Sequence, residues 1–243
     1  MKPRKFCKSQ TDWFAKRGIP WHIAVALRRG NDSHMELMTF AHIFDSCNQD
    51  SPTGLAILND VFHRLEGVMP QLRPLYLKQD NAGGYHCSLS IVTARQVAQV
   101  NDLCLARMDF LDAQGGKGPC DRKAPTIKSH IAVYLNSGHD IETASQMLEA
   151  INSFDGVAGV HAMIYNPPTS PLRTSIKWEG VSFISNIQYD EECLRVWKAY
   201  KIGRRKLVPY SKYNCPSELS SLSSSSDNSV KVNFVPIKPR RSE

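Results

Sequence analysis

A mixed α/β fold is expected for this chain because strand-like and helix-like patterns alternate along it and its apolar content can fill a core. Hydrophobic residues make up 42% of the 243 positions, which is enough for one sizeable domain. Short alternating runs between turn residues indicate strands, and apolar residues recurring every three or four positions indicate helices. We therefore predict one domain over residues 1–210 and a Ser-rich, basic, disordered tail over residues 211–243.

Strand patterns occur at five places between turn-forming residues. They cover residues 21–28, 35–44, 75–79, 106–110 and 160–165. The first two form a predicted hairpin around the turn Gly30-Asn31-Asp32-Ser33, and the third ends at Asp80. Residues 175–189 alternate loosely like a further strand, whereas residues 194–200 are predicted as a short helix.

Apolar residues at helical spacing predict four longer helices. They run from Ser51 to Gly67, over residues 85–101, from Asp121 to Leu135, and from Asp140 to Ile151. Ser51 and Asp140 are predicted as N-caps because their side-chain oxygens can accept hydrogen bonds from backbone N–H groups of the first turn. Asp121 is predicted to open the third of these helices.

The order of these elements places one aspartate at a strand end and another at a helix start. Asp80 follows the strand 75–79, and Asp121 follows a glycine-rich loop. This order resembles the RNase H-like folds, in which a mixed sheet is flanked by helices. The resemblance implies three converging carboxylates that bind two magnesium ions, since small hard cations prefer oxygen ligands.

Two longer segments resemble DDE-type transposases and integrases of eukaryotic mobile elements. These segments are Gln79-Asp80-Asn81-Ala82-Gly83-Gly84-Tyr85-His86 and Gln114-Gly115-Gly116-Lys117-Gly118-Pro119-Cys120-Asp121-Arg122. Residues 9–18 and 138–144 look like the same group, so the resemblance spans about residues 1–210. It implies metal-dependent phosphodiester cleavage or strand transfer on DNA.

The same resemblance implies that Asp80 supplies the second metal ligand and Asp121 the third, with Mg²⁺ or Mn²⁺ as cofactor. Asp109 and Asp112 are rival third ligands because they lie at the end of the predicted strand 106–110. The first carboxylate of the fold has no counterpart, and the chain is expected to begin within what resembles the first strand. Catalysis is therefore expected to be impaired.

The distribution of charge is typical of a protein with a polyanionic partner. The net charge is +7, divided as +7 over residues 1–30, −6 over residues 31–200 and +6 over residues 201–243. A basic head and tail flanking an acidic body suit an acidic metal site whose ends hold phosphate, although solvated basic termini are as common.

Individual cations near Asp121 are predicted to touch nucleic-acid phosphate. They are Lys117, Arg122, Lys123 and Lys128. The basic residues in 203–206 and 238–241 are nuclear-localisation signals, phosphate contacts or ordinary solvated charges, and these alternatives stay open. We expect an intracellular, nuclear protein with DNA as its partner.

Two other classes of function stay open. One is a non-enzymatic nucleic-acid-binding or interaction remnant of a mobile element, which a missing carboxylate favours. The other is a zinc-dependent module, which needs several of the seven cysteines and eight histidines to converge. The cysteines are instead expected to be buried free thiols. The sequence contains no membrane-spanning run and implies no small-molecule substrate.

Overall fold

The computed structural model describes residues 18–48, 50–69, 74–111, 118–167, 176–213 and 234–237. Its contacts divide the chain into two compact units. Unit 1 consists of residues 1–47, 117–166 and 227–243, and unit 2 consists of residues 48–116 and 167–226. The segments of the two units alternate along the chain. The sequence predicted a single domain over residues 1–210 and did not predict this division.

Helices and strands are mixed in both units, which confirms the mixed α/β prediction. The α-helices among the described residues are α1 Ser51–Val68, α2 Ser88–Val100, α3 Pro119–Asn136 and α4 Ala144–Asn152. The strands are β1 Trp21–Arg29, β2 Met35–Ile43, β3 Leu75–Gln79, β4 Leu105–Phe110, β5 Val160–Ile164, β6 Asn186–Tyr189, β7 Cys193–Trp197, β8 Lys206–Pro209 and β9 Val235–Pro236. The finer prediction, an RNase H-like arrangement, stays a prediction.

Unit 1 is a sheet with two helices packed on one face. The strands β1 and β2 form the predicted hairpin, and β5 pairs with β2 in parallel. The helices α3 and α4 supply the core, in which Ile127, Ile131 and Met147 are fully buried against the face that carries Ile43. Residues spaced by three or four along α3 therefore meet the sheet, as the helical periodicity predicts.

Unit 2 is a five-stranded sheet in the order β3-β4-β6-β7-β8. The strands β3 and β4 are parallel and are joined through α2, whereas each later pair is antiparallel. One face of the sheet is buried, with Met108, Ile187 and Leu194 fully enclosed. The buried Tyr189 hydroxyl donates a hydrogen bond to the Ile91 carbonyl of α2 at 2.8 Å, which satisfies its polar atom inside this core.

Both predicted N-caps are wrong by one to three positions. Asp50, not Ser51, caps α1, because its side chain accepts the Thr53 N–H at 3.0 Å. Thr143, not Asp140, caps α4, and its hydroxyl accepts the Gln146 N–H at 3.2 Å. In each case a nearby residue whose side-chain oxygen can accept a backbone N–H takes the cap position.

The predicted short helix over residues 194–200 is wrong, because Cys193–Trp197 forms the strand β7. Leu194 and Val196 of β7 are buried while Cys193 and Arg195 are half-buried, which is the period-two alternation of a strand with one covered face. Pairing with β6 on one side and β8 on the other fixes this conformation. Pairing with the strands on both sides overrides a weak local pattern.

Part of the predicted disordered tail is ordered. Within residues 211–243 the structure describes residues 211–213 and 234–237, and Val235–Pro236 forms β9. Val235 pairs with Leu37 of β2, so residues 235–236 join the sheet of unit 1. The other residues of the predicted tail lie outside the described residues.

Two further findings concern exposure. The cysteines that the structure describes as free are half-buried or, at Cys104, exposed, so the expectation of buried thiols is wrong in degree. Within the described part of the chain, no helix is both long and apolar enough to cross a membrane.

Candidate functional site

Asp80 lies where the sequence places it, directly after β3. Its exposed side chain accepts the Asn81 N–H through Oδ1 at 2.7 Å. The strand β3 is parallel to β4, and the Leu111 N–H donates to the Gln79 carbonyl at 3.0 Å beside this point. The carboxylate therefore stands at the carboxyl edge of a parallel pair, where open α/β sheets place their ligands.

The loop after Asp80 is held by His86. Its ring stacks on Phe110 with centroids 4.1 Å apart, and its Nδ1 contacts Asn81 Oδ1. The next residue, Cys87, caps α2 by accepting the Ser90 N–H. These contacts fix the loop between β3 and α2, and they assign His86 and Cys87 packing and capping roles.

Asp109, the rival metal ligand, is engaged through both of its oxygens. Arg107 donates to Oδ2, with Nη2 at 2.6 Å, and the Asn186 amide donates to Oδ1 at 2.6 Å. Because β4 pairs with β6, these partners meet on one face of the sheet of unit 2. The arrangement favours a structural role for Asp109. Asp112, the other rival, lies outside the described residues.

Asp121 is the third residue of α3 rather than its first. Its Oδ2 accepts the Gly118 N–H at 2.9 Å, which ties the first turn to the residue before the helix. A carboxylate at this position also interacts favourably with the positive end of the helix dipole. Asp121 belongs to unit 1, whereas Asp80 and Asp109 belong to unit 2, and the shared metal site of Asp80 and Asp121 stays a prediction.

The predicted phosphate-binding cations differ in their surroundings. Arg122 and Lys128 are exposed on α3, and the Lys128 ammonium lies 6.0 Å from the centre of the Trp21 ring. Lys123 instead donates to the Ala158 carbonyl at 2.7 Å, and partial burial lowers its pKa. Lys123 thus ties α3 to the segment before β5. Lys117 lies outside the described residues.

A row of five side chains, most of them planar or cationic, crosses the second face of the sheet of unit 2, where its three central members are half-buried. Register places one residue of each strand in line, which gives Tyr76, Arg107, Gln188, Arg195 and Leu207. We call these five residues the outer row. Tyr76 is 63% exposed and Leu207 is 52% exposed, so the two ends of the row face solvent.

The guanidinium of Arg107 sits against two rings. Its carbon lies 4.2 Å from the centre of the Tyr200 ring and 5.7 Å from that of Tyr76. Lys201 lies 5.3 Å from the same Tyr200 ring. Aromatic faces attract cations in this geometry, so the rings and charges hold each other in place.

The connection between β7 and β8 is strongly basic. Between residues 198 and 206 the chain carries five cations and no acid. All five are exposed, and they are Lys198, Lys201, Arg204, Arg205 and Lys206. Tyr200 links this connection to the outer row through its contact with Arg107.

A pair of histidines lies in the sheet of unit 1, with His42 buried and His22 half-buried. The rings of His22 on β1 and His42 on β2 are 5.9 Å apart, and the Tyr165 ring meets His42 edge-on at 5.3 Å. Burial, and secondarily the charge of His42, lowers the pKa of His22 to about 3. We therefore assign both histidines packing roles in this sheet.

Among the residues that the structure describes, no three His, Cys, Asp or Glu side chains are grouped so as to hold a metal ion. Comparison of the sequence with protein-family profiles and with curated proteins finds no match. The transposase resemblance therefore stays an interpretation of the two long segments.

Sequence reasoning missed the outer row. Its members are separated by up to 131 positions, since Tyr76 and Leu207 stand at its ends, and only strand order brings them into line. The basic residues in 203–206 were a sequence feature, among those singled out, that lies near this row. Their position beside Tyr200 and Arg107 could not be obtained without the β7–β8 pairing.

Proposed function

We propose that this chain is a nucleic-acid-processing domain of transposase type whose metal-dependent phosphodiester chemistry is impaired. The observation that carries the proposal is the exposed Asp80 carboxylate at the carboxyl edge of the parallel pair β3 and β4. Enzymes with open α/β sheets bind ligands at such edges. The exposed cations Arg122 and Lys128 on α3 support a phosphate-rich partner, namely DNA.

Magnesium, or manganese in its place, is the cofactor that belongs to this proposal. Mg²⁺ is usually held by one or two carboxylates together with water and substrate oxygens. Asp80 and Asp121 each use one oxygen to accept a backbone N–H, and each fits as a ligand through its other oxygen. When bound, the metal would activate an attacking water or 3′ hydroxyl.

Impairment is inferred from an incomplete set of carboxylates, which Asp109, the rival third ligand, does not complete. Asp109 does not fit as a ligand, because Arg107 and Asn186 engage both of its oxygens. Two-metal catalysis depends on several carboxylates converging on the ions, so chemistry that lacks one of them is expected to be slow. Arg122 and Lys128 would still hold the strand by contacts to its phosphates.

Nicking of supercoiled plasmid in Mg²⁺ tests the enzymatic part. The unmodified chain is expected to nick slowly, and Asp80→Asn should reduce nicking to background because it removes the charge that binds the metal. Asp109→Asn is the matched control on the neighbouring strand and should keep the rate. Nicking that persists in Asp80→Asn would rule out Asp80 as a ligand.

The second candidate is a non-enzymatic nucleic-acid-binding remnant. It is favoured by the structural roles of Asp121, which accepts the N–H of Gly118 at the start of α3, and of Asp109, which pairs with Arg107. In that case the unmodified chain shows no nicking in Mg²⁺ or Mn²⁺ but still shifts a labelled duplex in a gel. The double substitution Arg122→Ala and Lys128→Ala should then weaken the shift. Both candidate functions imply that the protein is in the nucleus, which the location of a fluorescent fusion in cells would test.

A further inference from the structure

We propose that the outer row and the basic connection beside it bind single-stranded nucleic acid. The surface consists of Tyr76, Arg107, Gln188, Arg195 and Leu207 together with the cations of residues 198–206. It shares no residue with the Asp80 and α3 features that carry the proposed function. The two proposals therefore stand or fall separately.

The first argument is the chemistry of the row. Tyr76 offers an exposed aromatic face, and unpaired bases stack on such faces whatever their sequence. Arg107, Gln188 and Arg195 carry planar groups whose N–H bonds can reach base edges or phosphates. A row of this kind suits bases that are splayed out, as in a single strand, and not bases stacked inside a duplex.

The second argument is the order of the row. Arg107 is fixed by Asp109 on one side and by the Tyr200 ring on the other. Arg195 is fixed by Asp190 at 2.7 Å, and Gln188 donates to the same carboxylate at 3.0 Å. Side chains that are already held in place lose less conformational freedom when a ligand binds.

The third argument is charge complementarity. The positive charges of Arg107 and Arg195 in the row are offset by Asp109 and Asp190, which lie beside the row. The attraction for a polyanion therefore comes from the five exposed cations of residues 198–206, which have no acid among them. Tyr200 and Lys201 join that connection to the row, so phosphates and bases can be held on one continuous surface.

The dimensions of the face agree with a strand laid across it. Neighbouring strands in a sheet lie about 4.8 Å apart, so a row that crosses five strands extends about 19 Å. Lys78, exposed on β3, stands in the adjacent row opposite Asp109 and adds a cation on the same face. The nucleic acid is expected to run from the β3 edge toward β8.

Fluorescence anisotropy with the full chain tests the proposal. The probes are fluorescein-labelled 20-nucleotide oligothymidylate, oligouridylate of the same length, and a 20-base-pair duplex. Tighter binding of either single strand than of the duplex is expected, and the DNA and RNA arms identify which strand is preferred. Because Arg122 and Lys128 are proposed to hold duplex DNA, the comparison is repeated in the full chain that carries Arg122→Ala and Lys128→Ala. Equal or tighter binding of the duplex by that variant would overturn the proposal.

Tyr76→Ala is expected to weaken single-strand binding about tenfold, the size of one lost base stack. Tyr76→Phe keeps the ring and should keep the affinity, which separates stacking from a general structural effect. Phe154→Ala removes another exposed aromatic ring, from unit 1, and should leave binding unchanged. If Tyr76→Ala and Phe154→Ala bind oligothymidylate alike, the proposal is wrong.

The cations are tested through the salt dependence of binding. Each phosphate contact to a single strand contributes about 0.7 to the slope of log affinity against log salt. The double substitution Arg204→Ala and Arg205→Ala should therefore reduce the slope by about 1.4. An unchanged slope would remove the basic connection from the binding surface and contradict the proposal.

The nicking proposal and the single-strand-binding proposal fail on different experimental outcomes. Nicking that persists in Asp80→Asn, together with weakened single-strand binding in Tyr76→Ala, contradicts the proposed function alone. Single-strand binding that Tyr76→Ala leaves unchanged, together with nicking lost in Asp80→Asn, contradicts the outer-row proposal alone.

Discussion

His22 shows how burial determines the protonation state of a single residue. The side chain lies beside His42 in the sheet of unit 1, and burial with that neighbour lowers its pKa to about 3. An unfolded histidine titrates near pH 6.5. Between these two values the unfolded chain binds a proton that the folded chain does not.

The free energy of unfolding is therefore expected to fall as the pH is lowered from 6.5 toward 3. The unfolded state binds more protons over this window, so the stability due to neutral His22 is complete above pH 6.5 and is lost progressively below it. The limiting slope from one histidine is about 1.4 kcal/mol per pH unit. Urea denaturation at a series of pH values measures it.

His22→Phe is the informative variant for this measurement, because a ring of similar size stays in the core without a titrating group. Its unfolding free energy should depend less steeply on pH than that of the unmodified chain. His34→Ala, at an exposed position, is the control and should leave the slope unchanged. A slope that His22→Phe does not alter would show that His22 is not the group responsible.

Residue identities in the candidate site were predictable to different degrees. Asp80 at a strand end follows from the glycine-rich loop after an apolar run, and the structure has it there. The engagement of Asp109 was not predictable, because Asn186 is 77 positions away and reaches it only through the β4–β6 pairing. The hydrogen-bond partners of Asp109 depend on the order of the strands in the sheet. That order cannot be predicted from the local pattern of apolar and polar residues.

At the scale of elements, the strongly patterned segments were predicted well. The structure has β1, β2, α1, β3, α3 and β5 within a few positions of their predicted bounds. The segments after residue 175 were predicted poorly, since β7 and β8 are short strands whose conformation depends on their neighbours. Periodicity needs several repeats to be informative, and four or five residues provide only two.

The contact between β9 and the turn before β5 is expected to make the stability of the fold sensitive to a side chain at Gly159. Gly159 has a φ of +69°, and a Cβ atom there would clash with Val235 of β9. Gly159→Ala is expected to destabilise the fold by about 1–3 kcal/mol from strain alone, with a further loss from the clash. Val235→Ala in the same chain should recover the second part only.

Gly138→Ala is the matched control for this experiment. Gly138 has a φ of +94° and nothing within 4 Å of a built Cβ, so it reports backbone strain without a clash. Urea denaturation followed by circular dichroism gives the three free energies. Equal destabilisation by Gly159→Ala and Gly138→Ala would mean that β9 does not pack against this turn.

At the scale of the whole molecule, both units are assembled from segments that are distant in sequence. In unit 1 the parallel pair of β2 and β5 joins Thr39 to Val160, a separation of 160 − 39 = 121 positions. In unit 2, β4 joins β6 across the residues that belong to unit 1. Pairing of this kind requires long loops to close before contacts form, which slows folding.

Refolding from urea, followed by tryptophan fluorescence, is therefore expected to take milliseconds to seconds. Addition of a prolyl isomerase separates proline isomerisation from strand pairing and should leave the main phase unchanged. Complete recovery of the signal within microseconds would contradict an architecture dominated by distant pairings.

The last strand of the five-stranded sheet also affects how copies of the chain behave in concentrated solution. An exposed edge strand is a template on which a second molecule can add its own strand, and this is a common start of aggregation. In β8 the edge begins with the cation Lys206 and ends with Pro209, which has no N–H to donate. Charge repulsion and a missing donor oppose edge-to-edge addition, so we expect the basic connection, proposed above to bind a polyanion, also to disfavour polymerisation through this strand.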